Sequence, residues 1–248
     1  MLLRARRGAT ASAVPPTILA LDTAADLCSV ALAVDGRIEE RTEVVGQKHS
    51  ERILPMVDRL LQESGLQLGD CDAIAFGAGP GAFTGLRIAC GVAQGLAFGA
   101  GRPVVAVGNL AALAQAARSA APGARTVLAA IDARMREIYW ALYSFDNDDL
   151  TETSAPALDP AGALAGICRR LAPEVVAGNA LLAFPGLLAG LDLATVPGAC
   201  ASAGPIALLG ARKFAAGQAA PAALAAPVYV RERVALTIDE RRAGGGRR

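Results

Sequence analysis

The chain has 248 residues, a formal net charge of +1, five cysteines and 53% hydrophobic residues. Because nucleic-acid affinity comes largely from neutralising phosphates, a nearly neutral chain is not expected to hold RNA or DNA tightly by itself. Much of the hydrophobic excess is alanine, and the uncharged stretch 88–101 is interrupted by Gln94 and several glycines. It falls short of the ~20 apolar residues of a membrane span, so no membrane partner is expected.

The cysteines and the chain ends favour a cytoplasmic protein. No two cysteines form a CxxC pair, and scattered thiols are typical of small core residues in a reducing compartment. Residues 1–16 are basic but lack the apolar segment of a secretory signal, so we expect a disordered extension there. Residues 237–248 are basic and glycine-rich, and we expect a disordered tail with at most an indirect relation to tRNA.

The first half of the chain, residues 17–122, alternates predicted strands and helices. A strand from Ile18 ends at Asp22, and a second strand follows the turn. Ser50 is expected to cap a helix that ends at Gly65. One face of that helix is apolar at helical spacing; it carries Ile53, Leu54, Val57, Leu60 and Leu61.

A glycine-rich turn then separates the strand "AIAFGAG" from a second helix over residues 84–99. The strand "PVVAV" follows, and Asn109 is expected to cap a third helix. The second half, residues 123–236, begins after the linker-like "APGAR". Its predicted helices span 161–171 and 205–216, and Gly217 is expected to end the second of them.

The two halves resemble each other. Asp22 plus 110 is Asp132, and the same offset relates Ala31 to Ala141 and Leu32 to Leu142. Each Asp ends an apolar strand, and each half later has a short apolar strand that ends in glycine. The pattern predicts two duplicated α/β halves.

The glycine-rich turn invites a nucleotide-binding interpretation. A P-loop requires a lysine, but none lies between Lys48 and Lys213. A dinucleotide fingerprint requires an acidic residue about 20 positions on, and no Asp or Glu lies between Ala73 and Ile131. Both interpretations are disfavoured.

An actin-like ATPase fold fits the repeat better, because each of its halves opens with an Asp-bearing strand and turn. Candidate nucleotide contacts are then Asp22, Thr23, Gly79, Gly81 and Thr84. The turn "TAADLCS" after Asp22 has no glycine, however, and side chains keep phosphates away from backbone N–H groups. We therefore expect no dedicated cofactor, with weak or shared nucleotide binding left open.

Metal and histidine chemistry have little support. His49 is the only histidine of the chain, and a metal site needs three or four suitable ligands. A position at a helix start or an interface suits His49 better than catalysis.

Several motifs together resemble the TsaB family, the small bacterial subunit of the machinery that makes threonylcarbamoyladenosine on tRNA. The resemblance covers about residues 17–236; its blocks are "ILALDTA", "CSVAL", "HSERILPMV", "GAGPGAFTGLRIACGVAQGLA", "VLAAIDARMREIYWA" and "PVYVRERVA". Tyr229 and Arg231 belong to the last block, without a role that the sequence explains.

The resemblance implies a fold and a role. The fold is α/β, with duplicated actin-like (ASKHA, RNase H-like) halves of which the second is degenerate. The role is that of a noncatalytic subunit, which forms a heterodimer with the catalytic subunit TsaD, helps to recruit the ATPase TsaE, and forms a homodimer when alone. TsaD binds its metal through an HxxxH pair; here His49 is present, but Ile53 stands at the second position. We therefore expect no metal and no activity of the chain alone.

The second predicted helix carries a stripe of small residues. Gly91, Gly95 and Gly99 recur every fourth residue, and each glycine costs about 1 kcal/mol relative to alanine in a helix. The stripe predicts close approach of another helix, either from this chain's own core or from a partner. The resemblance favours the partner. The predicted partner interface comprises His49, Ile53, Val57, Leu60, Arg87, Ile88, Gly91, Gly95 and Gly99.

Alternative interpretations stay open for Arg87 and for the function of the chain. Arg87 could bind an anion or a partner carboxylate, or be an ordinary solvated charge at the start of a helix. Besides the subunit role, an independent ATP-binding enzyme of the actin-like fold stays open, as does a peptidase, although no residue pattern supports the latter.

Overall fold

The computed structural model describes residues 15–231. The predicted tail lies outside these residues, and so does the predicted extension except for its last two positions. No helix of the described part is long and apolar enough to cross a membrane.

The first half forms a five-stranded sheet in the order β3-β2-β1-β4-β5. The central strand β1 is buried on both faces, pairs antiparallel with β2 and parallel with β4, as expected for a strand covered by helices on both sides. The strands are β1 (Ile18–Asp22), β2 (Leu27–Val34), β3 (Arg37–Val44), β4 (Ala73–Gly79) and β5 (Val104–Gly108).

The second half repeats this arrangement in a sheet of order β10-β9-β6-β7-β8. Its first strand is again central, with two antiparallel strands on one side and two parallel strands on the other. The predicted duplication is therefore confirmed. The strands are β6 (Thr126–Asp132), β7 (Glu137–Asp146), β8 (Asp149–Pro160), β9 (Val175–Ala177) and β10 (Ala194–Val196).

The repeat is not in register at the hairpins. Leu32 pairs with Leu19, whereas Leu142 pairs with Leu128 rather than with Ala129. A constant sequence offset of 110 between the halves is therefore wrong for the residues that pair across the hairpins beyond the turn. The turn of the β6–β7 hairpin is one residue shorter than that of the β1–β2 hairpin. A comparison of sequence positions along one strand does not reveal this difference in turn length.

The helices are α1 (His49–Glu63), α2 (Phe83–Ala100), α3 (Asn109–Ala120), α4 (Leu164–Leu171), α5 (Ala180–Ala183) and α6 (Ala203–Ala215). The first two helices of the first half are longer than the first two of the second half, whereas the last helices, α3 and α6, have 12 and 13 residues. Two predicted caps are wrong: Ser50 lies inside α1, and Asn109 is the first residue of α3 with its side chain bonded elsewhere. The edge strand β3 was not predicted, since its charged residues are mostly exposed.

The last helix of each half packs against the sheet of the other half. Ile206 and Ala207 of α6 lie among buried residues of β1 and β4, while Leu110 and Leu113 of α3 pack with β6 and β7. The start of α6 is held by the first half, because Glu40 Oε1 accepts a hydrogen bond from the Gly204 N–H at 2.7 Å. A carboxylate there is favoured by the helix dipole. The halves are thus interleaved, and their division at residues 122 and 123 stays a prediction.

The closeness of α6 to the first sheet is testable at Gly210. A Cβ there would lie 2.8 Å from Ala75 Cβ, so Gly210→Ala should destabilise the chain by about 1–3 kcal/mol through overpacking. The control is Gly166→Ala in α4, where an added Cβ would meet nothing within 4 Å among the described residues. This substitution should stabilise the chain by up to about 1 kcal/mol. Urea unfolding measures both; equal effects would contradict the packing of α6 on β4.

Candidate functional site

The turn after β1 is packed directly onto the glycine-rich turn before α2. Asp22 is fully buried, and its Oδ1 accepts a 2.8 Å hydrogen bond from Asn109 Nδ2. Asn109 Oδ1 in turn accepts the Gly79 N–H at 2.7 Å, and Asp22 Oδ2 accepts the Ala24 N–H at 3.3 Å. One amide side chain therefore joins the ends of β1 and β4 to the start of α3.

The glycines of this region make room for that turn. A Cβ on Gly77 would lie 1.9 Å from Asp22 Oδ1, and one on Gly85 would lie 1.9 Å from the Thr23 carbonyl oxygen. At Gly81 the obstacle is Ala24, at 2.8 Å. The Thr23 hydroxyl donates to the Gly85 carbonyl at 2.7 Å. The glycine spacing is thus explained by contact within the chain.

The five candidate nucleotide contacts occupy different environments. Asp22 and Thr23 are buried under the glycine-rich turn, and Gly79 faces the carbonyl of Val228. Gly81 lies against Ala24, whereas Thr84 is exposed at the start of α2. The structure brings Asp22, Thr23, Gly79 and Gly81 together, and all four take part in contacts within the protein.

Burial dominates the electrostatics of Asp22. Loss of solvent raises the pKa of its carboxyl group from 3.8 to about 6, against the opposing effect of the Asn109 hydrogen bond. A buried carboxyl group favours its neutral form in this way.

The space between the halves at this point is small. A cavity of about 40 Å³ opens there, whereas small-molecule sites usually measure ~300–1,000 Å³. Residues of both halves line it, among them Ala24, Pro80, Asn109, Ile131, Asn179 and Cys200.

His49 ties the start of α1 to the same turn. Its Nε2 lies 3.0 Å from the carbonyl oxygen of Ala25, so the ring makes an internal contact. Among residues 15–231 no group of three or more His, Cys, Asp or Glu residues could hold a metal ion.

The two small-residue stripes of α2 face opposite ways. Ala89, Ala93 and Ala97 are buried in the core between α2 and the first sheet. The glycines are exposed, and a Cβ on Gly91, Gly95 or Gly99 would meet nothing within 4 Å. The alternative that the glycine stripe packs in this chain's own core is therefore wrong, and its alanine neighbours take that role.

Three residues of the predicted partner interface need correction. Ile53, Val57 and Leu60 are buried in the core of the first half, so a direct contact with a partner is wrong for them. Their apolar face packs α1 onto this chain's own sheet. Leu54, on the same predicted face, projects outward and is 49% exposed.

The open face of α2 carries further exposed groups. Phe98 is 80% exposed, Ile88 is half-buried and Arg87 is exposed. The Arg87 guanidinium lies 3.8 Å from the centre of the Phe83 ring, and its Nε donates to the Tyr229 hydroxyl at 3.1 Å. We call the exposed surface of Gly91, Gly95, Phe98 and Gly99 the α2 face.

The turn after β6 differs from its counterpart after β1. Asn179 Oδ1 accepts the Asp132 N–H at 2.9 Å, which echoes the role of Asn109 in the first half. Arg134, Met135 and Arg136 all have positive φ angles, of 63°, 54° and 61°. Left-handed backbone costs about 1–2 kcal/mol for each such residue, so this turn depends on contacts that hold it.

Sequence reasoning missed four residues of these turns. Asn109 was interpreted as a cap, and Gly85, Asn179 and Arg231 were given no role. The available signal for Asn109 and Asn179 was an Asn just after the end of a later strand in each half, although the two strands, β5 and β9, are not counterparts in the repeat.

The pKa of Asp22 predicts how stability depends on pH. The folded state binds the proton more tightly than the unfolded state, so the free energy of unfolding should fall as pH rises from 3.8 to about 6. The expected loss is roughly 3 kcal/mol, from about 1.4 kcal/mol per pKa unit. Urea unfolding across this range measures it.

Two variants isolate that effect. Asp22→Asn should flatten the pH dependence, while Asp192→Asn at an exposed position should leave it unchanged. A profile that keeps its slope in Asp22→Asn would assign the dependence to other groups.

Comparison with known proteins gives concordant matches. Residues 40–225 match the family described as "TsaD: tRNA N6-adenosine threonylcarbamoyltransferase". The chain is 40% identical, over 88% of its own length and 96% of the relative's, to the tRNA threonylcarbamoyladenosine biosynthesis protein TsaB of Escherichia coli.

Solved structures agree with the sequence matches. YeaZ from Pseudomonas aeruginosa superposes with a TM-score of 0.78 at 42% identity, over 86% of this chain and 99% of that one. Component A of (R)-2-hydroxyglutaryl-CoA dehydratase from Acidaminococcus fermentans gives 0.52 at 14% identity, over 81% and 99%; this likeness concerns the fold alone. The predicted duplicated actin-like fold is confirmed, and the chain belongs to the TsaB family of tRNA threonylcarbamoyladenosine biosynthesis proteins.

Proposed function

We propose that this chain is a noncatalytic subunit that binds TsaD through the α2 face and so supports threonylcarbamoylation of adenosine 37 in tRNA. The observation that carries the proposal is the row of Gly91, Gly95 and Gly99, exposed and open beyond the Cβ position. A row of glycines is costly in a helix, and no contact among residues 15–231 compensates for it here.

The chemistry of the face suits a helix of a partner. Absent side chains let a second backbone approach closely, while Phe98 offers apolar area on the same helix. A stable interface buries about 1,600 Å² in total, which needs more than one helix. The start of α1 and Arg87 are the adjoining groups that would extend the contact.

The proposal of a noncatalytic role rests on what fills the cleft. The turn that follows Asp22 packs directly against the glycine-rich turn. The cavity between the halves measures about 40 Å³. Ile53 is a buried core residue at the position of the second histidine of the TsaD pair. We therefore propose no resident nucleotide or metal for the isolated chain; a nucleotide shared with TsaD at their interface is compatible with this.

Further partners follow from the same role. TsaE would dock on the pair of this chain and TsaD, and tRNA would be bound through TsaD. Without TsaD, the apolar α2 face would pair with a second copy of the chain.

Reconstitution tests the function as a whole. Modification of tRNA by TsaD, TsaE and the adenylate-forming enzyme should require the addition of this chain. Full activity without it would contradict the subunit role.

A substitution at the glycine row tests the binding surface. Gly95→Leu should leave the chain folded, because a Cβ there meets nothing within 4 Å, and should abolish co-purification with TsaD by filling the space for a partner helix. Gly166→Leu, also exposed and open on α4, is the matched control. Normal binding of TsaD by Gly95→Leu would show that the interface lies elsewhere on the chain.

Two other function classes are separable from this one. Tight binding of ATP and magnesium by the isolated chain in a calorimetric titration would support an independent ATP-using enzyme. Cleavage of casein by the pure chain, lost on one Ser or Cys substitution, would support a peptidase. The internal contact of His49 with Ala25 speaks against a histidine-assisted nucleophile.

A further inference from the structure

The chain crosses from the first half to the second within a few residues near its described end. The Val228 N–H donates to the Ala78 carbonyl at 2.7 Å. A Cβ on Gly79 would lie 2.4 Å from the Val228 carbonyl oxygen, so this crossing fits only against a glycine. The backbone at Val228 is thereby seated on the end of β4.

The next side chain strengthens the hold on the first half. The Tyr229 hydroxyl accepts the Arg87 Nε–H at 3.1 Å, and its ring lies 5.6 Å from that of Phe83. Both partners belong to the first turns of α2.

Arg231 holds the second half. Its Nη2 donates to the Ala133 carbonyl at 3.0 Å and to Glu137 Oε2, and its Nη1 lies 3.4 Å from Met135 Sδ. The side chain is only 14% exposed, so solvent weakens this ion pair less than a surface pair. The guanidinium fills the inside of the turn whose three central residues have positive φ.

The halves are also joined by the interleaved helices α3 and α6, by the connection between α3 and β6, and by Ala220 and Ala222, which bond to Val104 and Gln94 of the first half. Such joints leave room for hinge motion of two halves around a cleft. A contact that grips both halves directly removes that freedom.

We propose that Val228–Arg231 is a clasp that fixes the two halves against each other, with Arg231 as its positioning residue on the second half. The clasp keeps the cleft closed around its small cavity and holds the left-handed turn in shape. Arg87, which would also extend the proposed TsaD contact, is shared by the two sites, whereas Arg231 belongs to the clasp alone.

Hydrogen exchange on the full chain tests the clasp through amides on both sides. In Arg231→Met the Val228 amide, bonded in the first half, and the Ala133 and Glu137 amides of the turn should exchange about tenfold faster or more. Glu137→Gln should act in the same direction more weakly. Arg134→Met is the control, because that side chain is 82% exposed and, within the described part of the chain, forms its ion pair with Asp132 alone.

A distance measurement separates a clasp from a local role. Spin labels at exposed positions, Arg37→Cys in the first half and Ala189→Cys in the second, report the spacing of the halves. Cys200→Ser is included throughout because Cys200 is the native thiol that is not fully buried. The distance distribution should broaden in Arg231→Met and stay narrow in Arg134→Met.

Three results would overturn the clasp. One is faster exchange confined to the turn with an unchanged label distance, which would leave Arg231 a purely local role. Another is an equal response of Arg134→Met. The third is unchanged exchange in both Arg231→Met and Glu137→Gln.

Discussion

The hydrogen bonds of Asn109 with Asp22 and Gly79 are the contacts on which the first half depends. They fix where β1 and β4 end and where α3 begins. A buried carboxyl group without such a donor would be costly, and a Cβ on Gly77 would occupy its place. The residue types at these positions are therefore required together.

This arrangement sets the direction of α2. Because the Thr23 hydroxyl donates a hydrogen bond to the Gly85 carbonyl, the first turn of the helix is held against the turn after β1. The alanine row then faces the sheet, and the glycine row, two residues further along and so on the opposite side of the helix, faces outward. The outward-facing glycine row and the small cavity between the halves have one cause, which is the packing of the turn after β1 against the glycine-rich turn.

The same fold has been shortened in the second half without losing its strand order. The helix between β9 and β10 is only Ala180–Ala183, compared with Phe83–Ala100 in the first half. The second half therefore has no long helix at the position of α2. That asymmetry leaves one half with a broad helical surface and the other with short connections.

The exchange of α3 and α6 between sheets makes the two halves mutually dependent. Each sheet lacks a cover on one face until the other half supplies its last helix. The clasp adds a second link, since Val228 lies on β4 while Arg231 reaches the turn after β6.

Sequence periodicity was sufficient for the strands and helices with strong apolar patterns. The Asp repeat at 22 and 132 predicted the duplication, and the family motifs predicted the fold class. Sequence periodicity was insufficient where the same apolar pattern is compatible with packing in the core and with packing against a partner. The apolar face of α1 looked the same whether it served the core or a partner, and burial assigns Ile53, Val57 and Leu60 to the core.

The sequence by itself determined the family, the duplicated architecture and the unusual run of glycines, because these follow from residue type and spacing along the chain. Only the tertiary structure decided which glycines serve internal packing and which face outward. That choice depends on what lies within a few ångströms of each Cβ position, and those neighbours come from distant parts of the chain: Asp22 for Gly77, Thr23 for Gly85, and none within 4 Å for Gly95.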